Sequence, residues 1–197
     1  MALVSGVCSE ENVMRGEEVQ AIGLAEQTGF EHAGLLVLPG THSKHIRFDG
    51  ARFLDFSTFM TGELFETLSS GTILSESLAP GAMNELGEEA FLEGVRRSAR
   101  EGLAQNLFAV RAGALLGRRD PVSNSHFLSG LLLGSELAYL ADSTAPVWLA
   151  ASKELSNPYQ LALRALIPES RLRLLGPEKL DMALLEGHRK ILNLQLG

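Results

Sequence analysis

Residues 34–48 read Gly34-Leu35-Leu36-Val37-Leu38-Pro39-Gly40-Thr41-His42-Ser43-Lys44-His45-Ile46-Arg47-Phe48, and the fold turns on this stretch. Leu35 to Leu38 is a short apolar run with the length and composition of a buried strand. Pro39-Gly40 breaks it, and Thr41-His42-Ser43-Lys44 fills the bend. A second run follows, with Ile46 and Phe48 on one face and His45 and Arg47 on the other. Asp49-Gly50 then reads as a two-residue hairpin turn into Ala51–Phe56. The stretch predicts a three-strand meander whose first turn is crowded with hydroxyls, a glycine and a lysine.

Such a turn has chemical uses. Glycine lets the backbone approach a ligand closely. Successive N–H groups in a bend form a concave anion site, to which hydroxyls and a lysine add donors and charge. The same residues also suit a plain tight hairpin in which Thr41 and Ser43 satisfy their own backbone. No Gly-Lys-Ser/Thr opens a helix here, so the motif is not a Walker P-loop. His42 and His45 stand three apart on a turn and a strand, with no cysteine nearby and no helix to align them. They read as hydrogen-bonded surface or turn histidines, and no metal site is expected.

Working outward, Ala2–Val7 is a candidate strand and Glu10-Glu11-Asn12 a polar bend. A helix is expected from about Arg15 to Gln27, with Val19, Ile22 and Ala25 on one face and Thr28-Gly29 as its stop. Acids at its start, Glu17 and Glu18, favour the helix dipole. Beyond the meander, Gly62–Ser69 predicts a short helix carrying Leu64, Phe65 and Leu68 inward, with Thr61 as its cap. Residues 70–84 read as a loop. Glu85 to Gly117 is mostly helical, with Phe91, Val95 and Ala99 as a stripe and Gly102 as a divider. Asp120-Pro121 opens another helix, in which Gly130, Gly134 and Ala138 recur every four residues and let a neighbour approach. The last third predicts a strand at Pro146–Ala150 and a helix from Asn157-Pro158 to Ile167. A strand at Arg171–Leu175 and a terminal helix from Pro177 follow. This order gives an α/β fold: a central mixed sheet with an antiparallel meander, flanked by helices. The end of the strand at Ala150-Ala151-Ser152, just before a helix, is where open α/β sheets bind ligands.

At 197 residues and 45% hydrophobic content, the chain can bury one good core and reads as one domain, 1–197. A net charge of −7, with acids and bases interspersed, argues against nucleic acid or an anionic membrane as partner. A single cysteine, Cys8, fits a reducing compartment. The start has no basic region or apolar run of a signal peptide, and Phe127–Leu140 is too short to span a bilayer. A cytoplasmic protein is expected.

Several words of the sequence point further. Val13-Met14-Arg15-Gly16-Glu17-Glu18, Pro39-Gly40-Thr41-His42-Ser43-Lys44, Phe59-Met60-Thr61-Gly62-Glu63-Leu64 and Phe127-Leu128-Ser129-Gly130-Leu131-Leu132-Leu133-Gly134 occur in this order. Together with the segment from Ala150 to Tyr159 they resemble the 2-dehydro-3-deoxygalactonokinase family, sugar-acid kinases of the actin, Hsp70 and sugar-kinase superfamily. The resemblance implies a ribonuclease H-like, actin-like ATPase domain. It implies ATP and Mg²⁺ as cofactors and a small sugar acid as substrate. Gly40, Thr41, His42, Ser43 and Lys44 become the second phosphate-binding hairpin. Ala150, Ala151 and Ser152 become the adenosine region, with Tyr159 either stacking on the base or packing. Arg15 and Glu17 fall at the interdomain cleft, and Thr61, Gly62 and Glu63 on the substrate side. The family's pattern places an acidic base next to Val13. Here that neighbour is Asn12, so either Glu11 substitutes or catalysis is impaired.

The resemblance begins at the end of the family's first half, and the Asp-x-Gly-Thr phosphate hairpin of that half is not in this sequence. The chain therefore reads as the C-terminal half of a two-domain kinase, weakly active or inactive alone, whose partner is the N-terminal domain or a second copy. The other reading is a non-catalytic domain of the same fold that binds nucleotide or dimerises.

Overall fold

The computed structural model describes residues 6–30, 32–50 and 52–196. Contacts divide them into two compact units. One is built from the described parts of Met1–Phe59, Ala145–Asn157 and Ser170–Gly197; the other is Met60–Thr144 and Pro158–Glu169.

The first unit is a sheet with helices. Short strands β1 (Val7–Cys8) and β2 (Val13–Met14) pair antiparallel, and α1 (Glu17–Thr28) follows. Most of the strand expected at Ala2–Val7 lies outside the described residues. The central sheet contains β3 (Gly34–Leu38), β4 (Ser43–Asp49), β5 (Arg52–Phe59), β6 (Val147–Ala150) and β7 (Leu172–Leu175). Its order is β5-β4-β3-β6-β7, antiparallel through the meander and parallel across β3, β6 and β7. The fold class is thus α/β with a mixed five-stranded sheet. Leu36, Leu38, Ile46, Phe48, Phe56, Ala150 and Leu175 form one apolar face, against which α1 packs Ala21 and Leu24. The last helix, α7 (Pro177–Leu196), adds Ala183 to the same cluster.

Helix stops and starts follow local chemistry. Gly29 ends α1 in the left-handed conformation, φ 65°, its N–H bonded to the Ala25 carbonyl. At the other end Gly16 has φ 109°, a conformation that favours glycine, and its N–H is taken by the Glu18 carboxylate.

The second unit is helical: α2 (Thr61–Gly71), α3 (Glu85–Glu101), α4 (Ala104–Leu115), α5 (Pro121–Leu137) and most of α6 (Lys153–Leu166). Gly102 separates α3 from α4 as the sequence predicts, at φ 86°. α5 is the most buried helix, with Phe127, Leu128, Leu131 and Leu137 sealed from solvent. Gly130 and Gly134 face the backbone of Phe91 and Val95, so α3 and α5 touch main chain to main chain.

Four expectations need correction. β4 continues through Asp49, which pairs with Arg52, so Asp49 is a strand residue rather than the first residue of the turn. Position 51 lies outside the described residues. Leu64 is exposed, and only Phe65 and Leu68 of the expected trio pack on the core. The loop at 70–84 contains a 3₁₀ turn, Ile73–Ser77, begun by the Thr72 hydroxyl accepting from the Leu74 N–H. α6 starts at Lys153, not at Pro158, which sits inside it. Its first turn closes through Ser156 N–H to the Ser152 carbonyl, and Glu154 takes its own N–H and the Ser152 hydroxyl. This local anchoring outweighs the one helical hydrogen bond that proline forgoes.

The start of α5 offers a test. Asp120 caps it, accepting from the N–H groups of Val122 and Ser123 at 2.9 and 3.1 Å. The Ser123 hydroxyl, then the Ser123 N–H, hold the Asp120 carboxyl below its ordinary value. A lowered folded pKa adds stability above the unfolded value and loses it as pH falls through the folded one. Asp120→Asn, which keeps a good cap but no charge, should therefore melt lower than the wild type at neutral pH. The difference should close as the pH drops below the ordinary aspartate value of 3.8, read by thermal melts across pH.

Candidate functional site

The meander turn spans Pro39 to His42, because β4 already begins at Ser43. Gly40 does not have a positive φ, and a Cβ built on it would meet nothing closer than 3.8 Å. The protein's own packing therefore places no demand for glycine there. Thr41 and His42 are exposed beside it. Ser43 and Lys44, expected in the bend, are instead buried residues of β4, opposite Phe59 and Thr58 of β5.

Lys44 is only 4% exposed. Strand alternation places it on the same sheet face as Leu36, Leu38 and Ile46, the face covered by α1. There its Nζ lies 3.5 Å from Glu17 Oε1 and donates to the His42 carbonyl at 3.3 Å. Glu17 in turn accepts from the Arg15 N–H at 3.1 Å. Lys44 thus joins two separate sequence words, the start of α1 and the turn after β3. Its charge is spent inside the protein and braces the turn from beneath.

Asn12 belongs to the same neighbourhood. Its side-chain oxygen accepts from the Thr58 N–H at 2.8 Å, and its own N–H donates to the Ser9 hydroxyl at 3.1 Å. Thr58 is the register partner of Lys44. Asn12, Thr58, Lys44, Glu17 and the Arg15 backbone therefore converge at the start of β4. Glu11 is exposed in the bend before β2, and the Arg15 side chain is exposed. His45 corrects the surface reading: it is buried, with its ring 4.5 Å from that of Phe59.

The remaining expected residues have surroundings of their own. Ala150 and Ala151 are buried, so Ser152 is the member of that trio with side-chain exposure. Tyr159 is not placed to stack on a base. It is 3% exposed and its hydroxyl donates to both oxygens of Glu136 at 3.0 Å. Thr61 does not cap α2, whose N-cap residue is Met60 with no side-chain bond. The Thr61 hydroxyl goes to Glu136. Gly62 and Glu63 occupy the first turn of α2 and are half-buried. Glu136 is singled out by the structure; its signal in the sequence is that it is the lone acid of an apolar helix.

The profile of the family described as 2-keto-3-deoxy-galactonokinase matches residues 1–176. The probable 2-dehydro-3-deoxygalactonokinase of Rhizobium meliloti (strain 1021) is 42% identical over 159 residues, 78% of this chain and 52% of that protein. The 2-dehydro-3-deoxygalactonokinase of Escherichia coli (strain K12) is 36% identical over 172 residues, 83% of this chain and 57% of that protein. A crystal structure from Sinorhizobium meliloti, of a protein assigned as a 2-dehydro-3-deoxygalactonokinase, superposes with a TM-score of 0.81 at 38% identity. It covers 92% of this chain and 62% of its own. The chain spans about half the length of the curated relatives it matches.

Proposed function

Because the chain belongs to the 2-keto-3-deoxy-galactonokinase family, we propose that it is the C-terminal half of a sugar-acid kinase. Its reaction moves the γ-phosphate of ATP to the terminal hydroxyl of 2-dehydro-3-deoxygalactonate, a substrate named in its relatives. The observation that carries this reading is the meeting of two sequence words at one place, where Lys44 ties the start of α1 to the Gly40 turn. The sheet order, an antiparallel meander continued by two parallel strands, supports the ribonuclease H-like form of the fold.

The roles follow from exposure. Gly40, Thr41 and His42 present N–H groups, a hydroxyl and an imidazole to the phosphates. Ser43 and Lys44 hold that turn from the strand below. Ser152 meets the nucleoside from the end of β6, with Ala150 and Ala151 forming the floor. Glu11 and Arg15 act at the reacting end, and Thr61, Gly62 and Glu63 are the sugar-acid residues. ATP supplies the transferable group, and Mg²⁺ arrives with it, held largely by phosphate oxygens and water. The domain that closes the site is the N-terminal half or a second copy.

Gly40→Ala tests the phosphate role apart from the fold. Alanine fits without strain, so stability should move by less than about 0.5 kcal/mol. Affinity for MgATP, measured by isothermal titration, should fall at least about tenfold, because a methyl group blocks close approach of the phosphates. A folded Gly40→Ala chain that binds MgATP as tightly as the wild type removes this turn from the site.

A further inference from the structure

α5 is apolar through its middle, yet its last turn buries a carboxylate. Glu136 is 3% exposed, among neighbours such as Leu133 and Leu137. Burying a carboxylate is costly unless donors replace its water. The donors here come from two other helices of the same compact unit. Thr61, at the start of α2, gives one hydroxyl, and Tyr159, on α6, gives another 3.0 Å from both oxygens. α2 needs such an anchor. None of its residues is fully buried, and Met60 offers its first turn no side-chain cap.

We propose that Glu136 is a positioning residue: by taking the Thr61 and Tyr159 hydroxyls, it sets the first turn of α2 and with it the Thr61-Gly62-Glu63 word. The substrate-facing role of that word rests on the kinase reading above; the anchoring does not. An aliphatic side chain would fill the same space without the desolvation cost. A carboxylate at this position is accounted for by what it holds in register. Packing alone does not require it.

Amide hydrogen exchange on the whole chain reads the anchoring with no ligand present. The reporter amides are Leu64, which donates to the Met60 carbonyl at 2.8 Å, and Phe65 next to it. Glu136→Met and Thr61→Val should speed exchange there at least about tenfold, with the centre of α5 unchanged. Thr61→Ser and Glu136→Gln should restore wild-type rates, since the serine keeps the hydroxyl and the amide can accept one hydroxyl while donating to the other. Affinity for 2-dehydro-3-deoxygalactonate should fall in parallel in the two disruptive variants and recover in the two conservative ones.

Wild-type rates at Leu64 and Phe65 in both disruptive variants would overturn the proposal. So would acceleration spread evenly along α5, which marks a merely structural group. A loosened first turn with unchanged sugar-acid affinity would overturn the link to substrate. A wild-type chain that binds no sugar acid and no nucleotide counts against the kinase reading instead, while the exchange rates still decide the anchoring.

Discussion

Replacing Gly130 by alanine should destabilise the helical unit by about 3 kcal/mol or more, or prevent it from folding. A Cβ there would come within 3.0 Å of the Phe91 carbonyl oxygen, closer than real side chains approach. The obstacle is backbone, so no rotamer change relieves it, and α3 and α5 must move apart. Moving them apart undoes the packing of Phe91, Val95, Phe127 and Leu131, all sealed from solvent. Gly134 against Val95 and Gly94 against Phe127 repeat the same contact along the crossing, so the helices cannot pivot around one site. Gly71→Ala is the control. Nothing lies within 4 Å of its Cβ position, and a helical glycine exchanged for alanine gains up to about 1 kcal/mol. Urea denaturation followed by far-ultraviolet circular dichroism separates the two. A Gly130→Ala chain with the wild-type midpoint would show that α3 and α5 do not cross at this distance.

Asn12→Asp should act in the opposite sense, as a gain of catalysis. Asn12 anchors β5 by accepting the Thr58 N–H at 2.8 Å, a bond an aspartate oxygen makes equally well. The second carboxylate oxygen would then stand at the position from which the kinase reading takes a proton from the sugar-acid hydroxyl. An amide has no proton-accepting capacity at neutral pH, whereas a placed general base contributes about 10²–10⁴-fold. ADP release from MgATP with 2-dehydro-3-deoxygalactonate should rise by about that factor over the wild-type chain. Glu11→Gln reads the competing assignment. If Glu11, exposed in the bend before β2, already serves as base, its loss abolishes wild-type turnover and Asn12→Asp adds little. Where the wild-type chain itself turns over, a folded Asn12→Asp chain with unchanged ADP release removes position 12 from proton transfer.

The two experiments probe different parts of the argument. Gly130 concerns a rule of packing visible in the four-residue spacing of glycines. Asn12 concerns one atom whose partner lies 46 residues away.

That contrast marks how far the sequence reaches. The meander strands, the stop at Thr28-Gly29, the divide at Gly102, the cap at Asp120-Pro121 and the close face of α5 were legible, because each depends on alternation, helical period or a cap set by neighbours a few residues apart. The family was legible too, from short words in a fixed order. Lys44 shows where reading stops. Its pattern permits either a turn cation or a strand residue, and the tertiary partner Glu17 decides for the strand. Tyr159 and Thr61 repeat the lesson, since their hydroxyls are claimed by Glu136, which stands 23 and 75 positions away. A buried polar group must find a partner wherever the fold brings one, and chain spacing carries no record of which one that is.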